Sequence, residues 1–271
     1  MSGKIENKLT DVPESMLITL WAKAVENKQV NPILRDPKAL EIYNRVDYDF
    51  SKFKNATFSQ VGCCVRASLI DKEIEKFFSK NPDAVAIQLG AGIDARYERL
   101  NPKNITHWYD LDLPEAIDFR RKVLTESERN TYISKSLFDY SWIDTVKAHK
   151  KPVIIIAEGV LMYFKQAEVK AFFDEVCRQF DEATVVFDML AYIAVKHSKR
   201  HDTISKIGIE FQWSELDTKV MEQWNSKIHI ENEYFMSDYD QGRYPTIARL
   251  LYKLKYFYNR LNQRVVTLKI K

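Results

Sequence analysis

The sequence predicts an α/β fold: a doubly wound, mostly parallel sheet with helices on both faces, N-terminal helices before it and a helical cap inserted late. Three observations carry this. From residue 84 to 189 short apolar runs alternate with helix-like stretches, the rhythm of βαβ units. Pro152 to Ala157 is a continuous β-branched run, as expected of a strand buried on both faces of a parallel sheet. After Leu190 the alternation fails, and residues 191–226 are charged, aromatic and helix-prone.

Taken in order, Leu17, Leu20, Trp21 and Ala24 recur at helical spacing, and Asp36-Pro37 reads as an N-cap with proline in the first turn of a second helix. A third helix is predicted from about Ser59 to Ser79, with Val65, Leu69, Ile74 and Phe77-Phe78 among its apolar positions. Strands are predicted at 84–89, 106–111, 131–134, 152–157 and 183–189, with helices near 94–100, 114–124, 141–148 and 165–180 between them. Ile228 to Tyr234 alternates like a strand. Residues 246–262 place Ile247, Leu250, Leu251, Leu254, Tyr258 and Leu261 on one helical stripe, and Val265 to Ile270 is a last strand. The expectation is a single domain over 1–271, with a helical region to residue 80 and a cap at 191–226.

Composition narrows the class. The 271 residues are 45% hydrophobic, enough for a full core. Lys+Arg at 41 against Asp+Glu at 38 leaves a net charge of +3, too slight to imply nucleic acid or a membrane as partner. Arg249 to Lys271 holds seven Lys/Arg and no acid, which reads as a solvated helix face. Three cysteines, Cys63, Cys64 and Cys177, form no disulfide framework, and no apolar run reaches membrane-spanning length, so a cytoplasmic protein is expected.

The chemistry concentrates at strand ends. Val85 to Leu100, VAIQLGAGIDARYERL, is a strand breaking into Gly90-Ala91-Gly92 and then a helix. Two glycines one residue apart allow a sharp turn and close approach of a ligand, and the next helix offers free N–H groups. About twenty residues on, Tyr109-Asp110-Leu111-Asp112 ends a second strand in two carboxylates, the spacing at which an α/β nucleotide site grips a ribose. A nucleoside-type ligand is expected. Glu158 follows an apolar strand and would be costly to bury without a partner. His197 and His201 stand four apart, but no acid accompanies them in a metal-binding pattern, so no metal is expected.

Leu89 to Arg96, Tyr109 to Pro114, and Ala157-Glu158-Gly159-Val160-Leu161-Met162-Tyr163 together resemble the leucine carboxyl methyltransferase family, nearest its bacterial polyketide-type O-methyltransferase branch. The resemblance runs from the Glu14-Ser15 region to the last strand and implies a class I methyltransferase sheet with S-adenosylmethionine as cofactor. It assigns Arg66 to the methionine carboxylate, Gly90 and Gly92 to close backbone passage, Asp112 to the ribose with Asp110 beside it, Ser136-Leu137 to the adenine, and Glu158 to the methionine end. Ala95 stands where the family usually has Thr, and Ser136 where its eukaryotic branch has Asp.

The expected acceptor is a carboxylate or hydroxyl of a small molecule, favoured over a protein carboxyl terminus. A carboxylate needs no general base, being ionised at neutral pH, whereas a phenol benefits from one. His201 and His229 are candidate bases, and neither is assigned. Tyr163, Trp213 and Arg243 are expected to contact the acceptor, with Leu17, Trp21, Tyr192 and Phe211 as apolar walls and Lys199 as a further cation. Two alternatives stay open on the residues: a nicotinamide-dependent oxidoreductase, since Gly90-x-Gly92-x-x-Ala95 satisfies a dinucleotide fingerprint, and a non-catalytic relative.

Overall fold

A computed structural model describes residues 15–196 and 210–271, together with the backbone of Ile5–Glu6, which pairs in parallel with Val46–Asp47. Three helices lead in: α1 (Met16–Glu26), α2 (Pro37–Arg45) and α3 (Thr57–Lys80). The cap predicted for α2 forms, the Asp36 carboxylate accepting from the Ala39 N–H at 2.9 Å with Pro37 in the first turn.

The sheet follows in the expected alternation: β1 (Val85–Leu89), α4 (Arg96–Leu100), β2 (His107–Asp112), α5 (Pro114–Val123), β3 (Asn130–Ser134), α6 (Ser141–Lys147), β4 (Val153–Ala157), α7 (Gln166–Gln179) and β5 (Ala183–Met189). After the short helix α8 (Tyr192–Lys196) come β6 (Ile228–Phe235), α9 (Thr246–Tyr252), α10 (Lys255–Leu261) and β7 (Arg264–Ile270). The seven strands lie in the order β3-β2-β1-β4-β5-β7-β6. The first five are parallel, and β7 runs antiparallel between β5 and β6.

Both faces of the sheet are covered. Val85, Ile87, Ile155 and Val185 pack one way with Phe172, Phe173 and Val176 of α7, and Ala86, Ile154, Ile156 and Val186 pack the other way with Val61, Val65 and Leu69 of α3. This burial on two sides is why β4 reads as an unbroken apolar run. A third cluster holds α1 and α2 together through Leu17, Leu20, Trp21, Ala39 and Ile42.

Two expectations change. The helix foreseen over 246–262 is two short helices, α9 and α10, joined through Lys253-Leu254, and neither buries a residue fully. The stripe therefore does not face a core: Ile247, Leu250 and Leu254 stand in solvent. The 191–226 insert divides: Ala191, Ile193, Ala194 and Phe211 stay at the carboxyl ends of the strands, whereas Trp213, Met221 and Trp224 descend against Phe173 and Phe187 on the α7 face.

Candidate cofactor and acceptor site

Strand order reverses at β1 and β4, the switch point where open α/β sheets hold ligands beyond their carboxyl ends. A cavity of about 890 Å³ lies there. Its walls include the turns after β1, β2, β3 and β4, one face of α1, the start of α3, and parts of α8, α9 and α10.

The Gly90-Ala91-Gly92 turn needs its glycines for reasons inside the protein. Gly90 has φ +63°, and a Cβ there would lie 2.2 Å from Cγ2 of Val160. Gly92 has φ +50°, and a Cβ there would lie 3.2 Å from Cβ of Met16. The turn thus brings the β1 end against the motif after β4 and the start of α1, closing the floor of the cavity. Asp112, ending β2, locks the same turn: its carboxylate accepts from the N–H of Gly92 at 2.7 Å and of Leu113 at 2.7 Å. Burial pushes its carboxyl above the ordinary range, against the pull of those two amides.

The other end of the cavity is an ion-pair network. Arg66, on α3, donates from Nε to Glu158 at 2.9 Å and from a terminal nitrogen to Asp188 at 3.2 Å. Asp188, fully buried near the end of β5, also accepts from the Gly159 N–H at 2.5 Å and from Gln263 at 2.8 Å. Arg96 bonds Glu158 and Asp71, Lys23 bonds Asp94 at 2.6 Å, and Arg99 reaches Asp36, Asp71 and Asp94. Burial alone would raise the Glu158 carboxyl, but the charges of Arg96, Arg66 and Lys23 outweigh it and hold the group at about 2. Four cations thus pair with five carboxylates, a surplus of one negative charge in a network of which Lys23, Arg66, Asp94 and Glu158 line the cavity. Gln88 Oε1, buried on the same lining, has no hydrogen-bond partner among the described residues.

Of the residues singled out in the sequence, Arg66, Gly90, Gly92, Asp112, Ser136, Leu137, Glu158 and Tyr163 all line this cavity. Asp110 does not. It is fully buried in the strand, accepting from Arg120 at 2.7 Å, Asn130 at 2.8 Å and the Trp108 indole at 3.0 Å, so its acceptors are taken up by the fold. Trp213 is also outside the lining, buried against Phe187 and Trp224 with its N–H on Glu215. Arg243 pairs through both terminal nitrogens with the buried Glu26, at 2.9 and 2.8 Å, and faces no ligand space. Leu17 and Trp21 belong to the core under α1, so Met16, Thr19 and Lys23 face the cavity instead. Phe211 lines the cavity and Tyr192 does not. His229 lies on β6 away from it, and His197, Lys199 and His201 lie outside the described residues.

Sequence reasoning does not find Lys23, Gln88, Asp94, Arg96 and Asp188. One signal is available: Lys23 sits among the apolar positions of α1, where a buried lysine requires a partner. The others acquire their roles from residues distant in sequence.

The residues fit S-adenosylmethionine. Asp112 at the end of β2 and Ser136 and Leu137 just after β3 line the cavity beside the glycine turn. The negative network and the unpartnered Gln88 oxygen match a ligand bearing a sulfonium and an ammonium group. Similarity to known proteins agrees. Residues 16–177 match the family model described as leucine carboxyl methyltransferase. The chain is 29% identical over 231 residues, 85% of each chain, to the tetracenomycin polyketide synthesis O-methyltransferase TcmP of Streptomyces glaucescens. It is 26% identical over 286 residues, 96% of each, to the S-adenosyl-L-methionine-dependent methyltransferase dpfgK of Gibberella zeae. In fold it is similar to the SAM-dependent methyltransferase from Anabaena variabilis, with a TM-score of 0.51 at 10% identity over 74% of this chain and 85% of that one. The family replaces the nicotinamide-dependent alternative that the glycine turn left open. The chain belongs to the leucine carboxyl methyltransferase family, S-adenosylmethionine-dependent methyltransferases on the class I fold.

Proposed function

We propose that this protein methylates an acidic oxygen, a carboxylate or an acidified hydroxyl, on a small molecule with a largely apolar body. The observation that carries this reading is the make-up of the cavity. One end holds the cofactor-type groups, and the rest is walled by Phe58, Tyr163, Phe211, Tyr244, Leu251 and Met236. At about 890 Å³ it lies in the upper range of small-molecule sites, with room for an acceptor beside the cofactor.

S-adenosylmethionine supplies an electrophilic methyl group on a sulfonium with a good leaving group. The chain's own residues supply binding, alignment and exclusion of water. Asp112 and the Gly90–Gly92 turn would fix the nucleoside, Ser136 and Leu137 the adenine, and Arg66 the methionine carboxylate, with Glu158 holding the guanidinium in place. Reacting atoms held in line, away from water, account for several kcal/mol of barrier in well-oriented systems, about 7–11 at the limit.

No histidine lines the cavity among the described residues, and Glu158 and Asp94 are engaged in ion pairs. Burial raises the Tyr163 phenol, which shares a hydrogen bond with Ser15, so it is a poor base. An acceptor oxygen that ionises by itself is the chemistry these walls support. The test is transfer of labelled methyl from S-adenosylmethionine to a panel of apolar carboxylic acids, acidic phenols, aliphatic alcohols and peptides with free carboxyl termini. Product confined to the acids and acidic phenols is expected. Turnover of alcohols or peptides alone would overturn the acceptor class. Saturable binding of NAD with no binding of S-adenosylmethionine would overturn the donor.

A further inference from the structure

We propose that the arm formed by α9 and α10 seats this protein on an anionic lipid surface, so that its cavity opens toward apolar acceptors dissolved there. Ile247, Leu250, Leu254 and Tyr256 are 75%, 57%, 55% and 61% exposed, half of the large hydrophobic side chains exposed among the described residues. All four lie within ten residues, on two consecutive short helices and the link between them, a local concentration of exposed apolar side chains. Between them and just beyond stand Arg249, Lys253, Lys255 and Arg260, none of which forms an ion pair among the described residues. Arg249 donates to Thr246, and Arg260 lies over the Tyr256 ring at 4.0 Å. The carboxylate bonded to the arm is that of Asp238, which accepts from Tyr258.

Alternating outward apolar and basic side chains on short helices is the pattern of an interfacial segment, its apolar groups entering the headgroup layer and its cations meeting anionic lipid. A second copy of the chain is disfavoured, because two such basic patches repel. A protein partner is disfavoured too, since the buried centres of protein interfaces are depleted in lysine. The chain's overall charge of +3 hides this local concentration. No helix among the described residues is long and apolar enough to cross a membrane, so the contact is peripheral.

The same two helices connect the patch with the cavity. Ala248, Leu251, Tyr252 and Leu261 form part of its wall while their neighbours point outward. Acceptor delivery rests on the functional reading above, whereas the surface contact rests on exposure and charge alone.

The test is flotation of the full-length chain with vesicles of phosphatidylcholine alone and of phosphatidylcholine mixed with phosphatidylglycerol, at low and high salt. Binding to the phosphatidylglycerol vesicles, weakened by salt, is expected. Lys253→Gln and Lys255→Gln should each weaken it about fivefold. Leu250→Ser with Leu254→Ser should weaken it further, with the thermal shift given by S-adenosylmethionine unchanged in every variant. No vesicle binding, or binding indifferent to these substitutions, would overturn the proposal. So would a concentration-dependent dimer abolished by the Leu250 and Leu254 changes, or retention on polyglutamate without vesicle binding. Loss of the S-adenosylmethionine shift with vesicle binding intact would instead count against the functional reading alone.

Discussion

Arg66 carries two duties that separate in experiment. Its guanidinium holds Glu158 and Asp188 together, and it lines the cavity, where the proposed function gives it the methionine carboxylate. Arg66→Ala leaves two buried carboxylates without their shared cation, so it should cost about 3–5 kcal/mol of stability as well as cofactor affinity, measurable by urea unfolding beside calorimetric titration. Asp112→Asn should leave the Gly92 contact largely in place yet weaken the cofactor by about 1.5–3 kcal/mol, the range for hydrogen bonds to a charged group. Because burial raises the Asp112 carboxyl, it takes up its proton at higher pH than an ordinary aspartate. Cofactor affinity should therefore begin to fall on acidification while Glu158, held at about 2, is still ionised, and Asp112→Asn should flatten that fall. Asp110→Asn, by contrast, strands Arg120 in the interior and should lower stability with little direct effect on binding. The Asp112–Gly92 lock was legible because both residues belong to one βαβ unit, whereas the crowding by Val160 and Met16 that demands glycine there comes from distant segments. The two aspartates of β2 share a face, and sequence spacing could not say that Arg120 and Asn130 claim the first of them.

At the scale of elements, the strands and their helices were readable wherever one face or both is buried, as in β4, α3 and α7. Legibility fails where packing is lopsided. The 246–262 stripe has a helix period, but α9 and α10 cover a cavity and not a core, so much of the stripe remains in solvent. Trp213 reverses in the other direction. Its place in the insert suggests an acceptor wall, yet it fills the α7 face beside Phe187 and Trp224. Trp213→Ala should then cost about 3–5 kcal/mol of folding stability, as large aromatic truncations in cores do. Acceptor KM measured on the folded fraction should stay near wild type. Phe211→Ala, two residues earlier and on the cavity wall, should do the opposite and raise acceptor KM with a smaller loss of stability.

For the molecule as a whole, binding and stability meet at the strand ends. The Glu158 carboxyl is lowered by folding, so its contribution is fully present above its unfolded value near 4.5 and is lost as pH falls toward about 2. Asp188 and Asp112 are raised by burial and act in the opposite sense: folding disfavours their ionised forms, a penalty relieved as they protonate on acidification. At neutral pH the network thus combines a stabilising Glu158 with an Asp188 whose ionised form burial disfavours and which would gain from a further counter-charge. A cationic ligand supplies one, and a ligand bound only by the native state also stabilises by mass action, about 2.7 kcal/mol at one hundred times Kd. For a chain of this size each kcal/mol moves Tm by about 2–4 °C, so saturating S-adenosylmethionine should raise Tm by roughly 5–10 °C at pH 7. The demethylated product lacks the sulfonium charge but keeps the ribose, adenine and carboxylate. It should give a smaller shift at neutral pH, and the gap between the two ligands should narrow as Asp188 takes up its proton. Equal shifts from both at every pH would show that the surplus charge plays no part in cofactor choice.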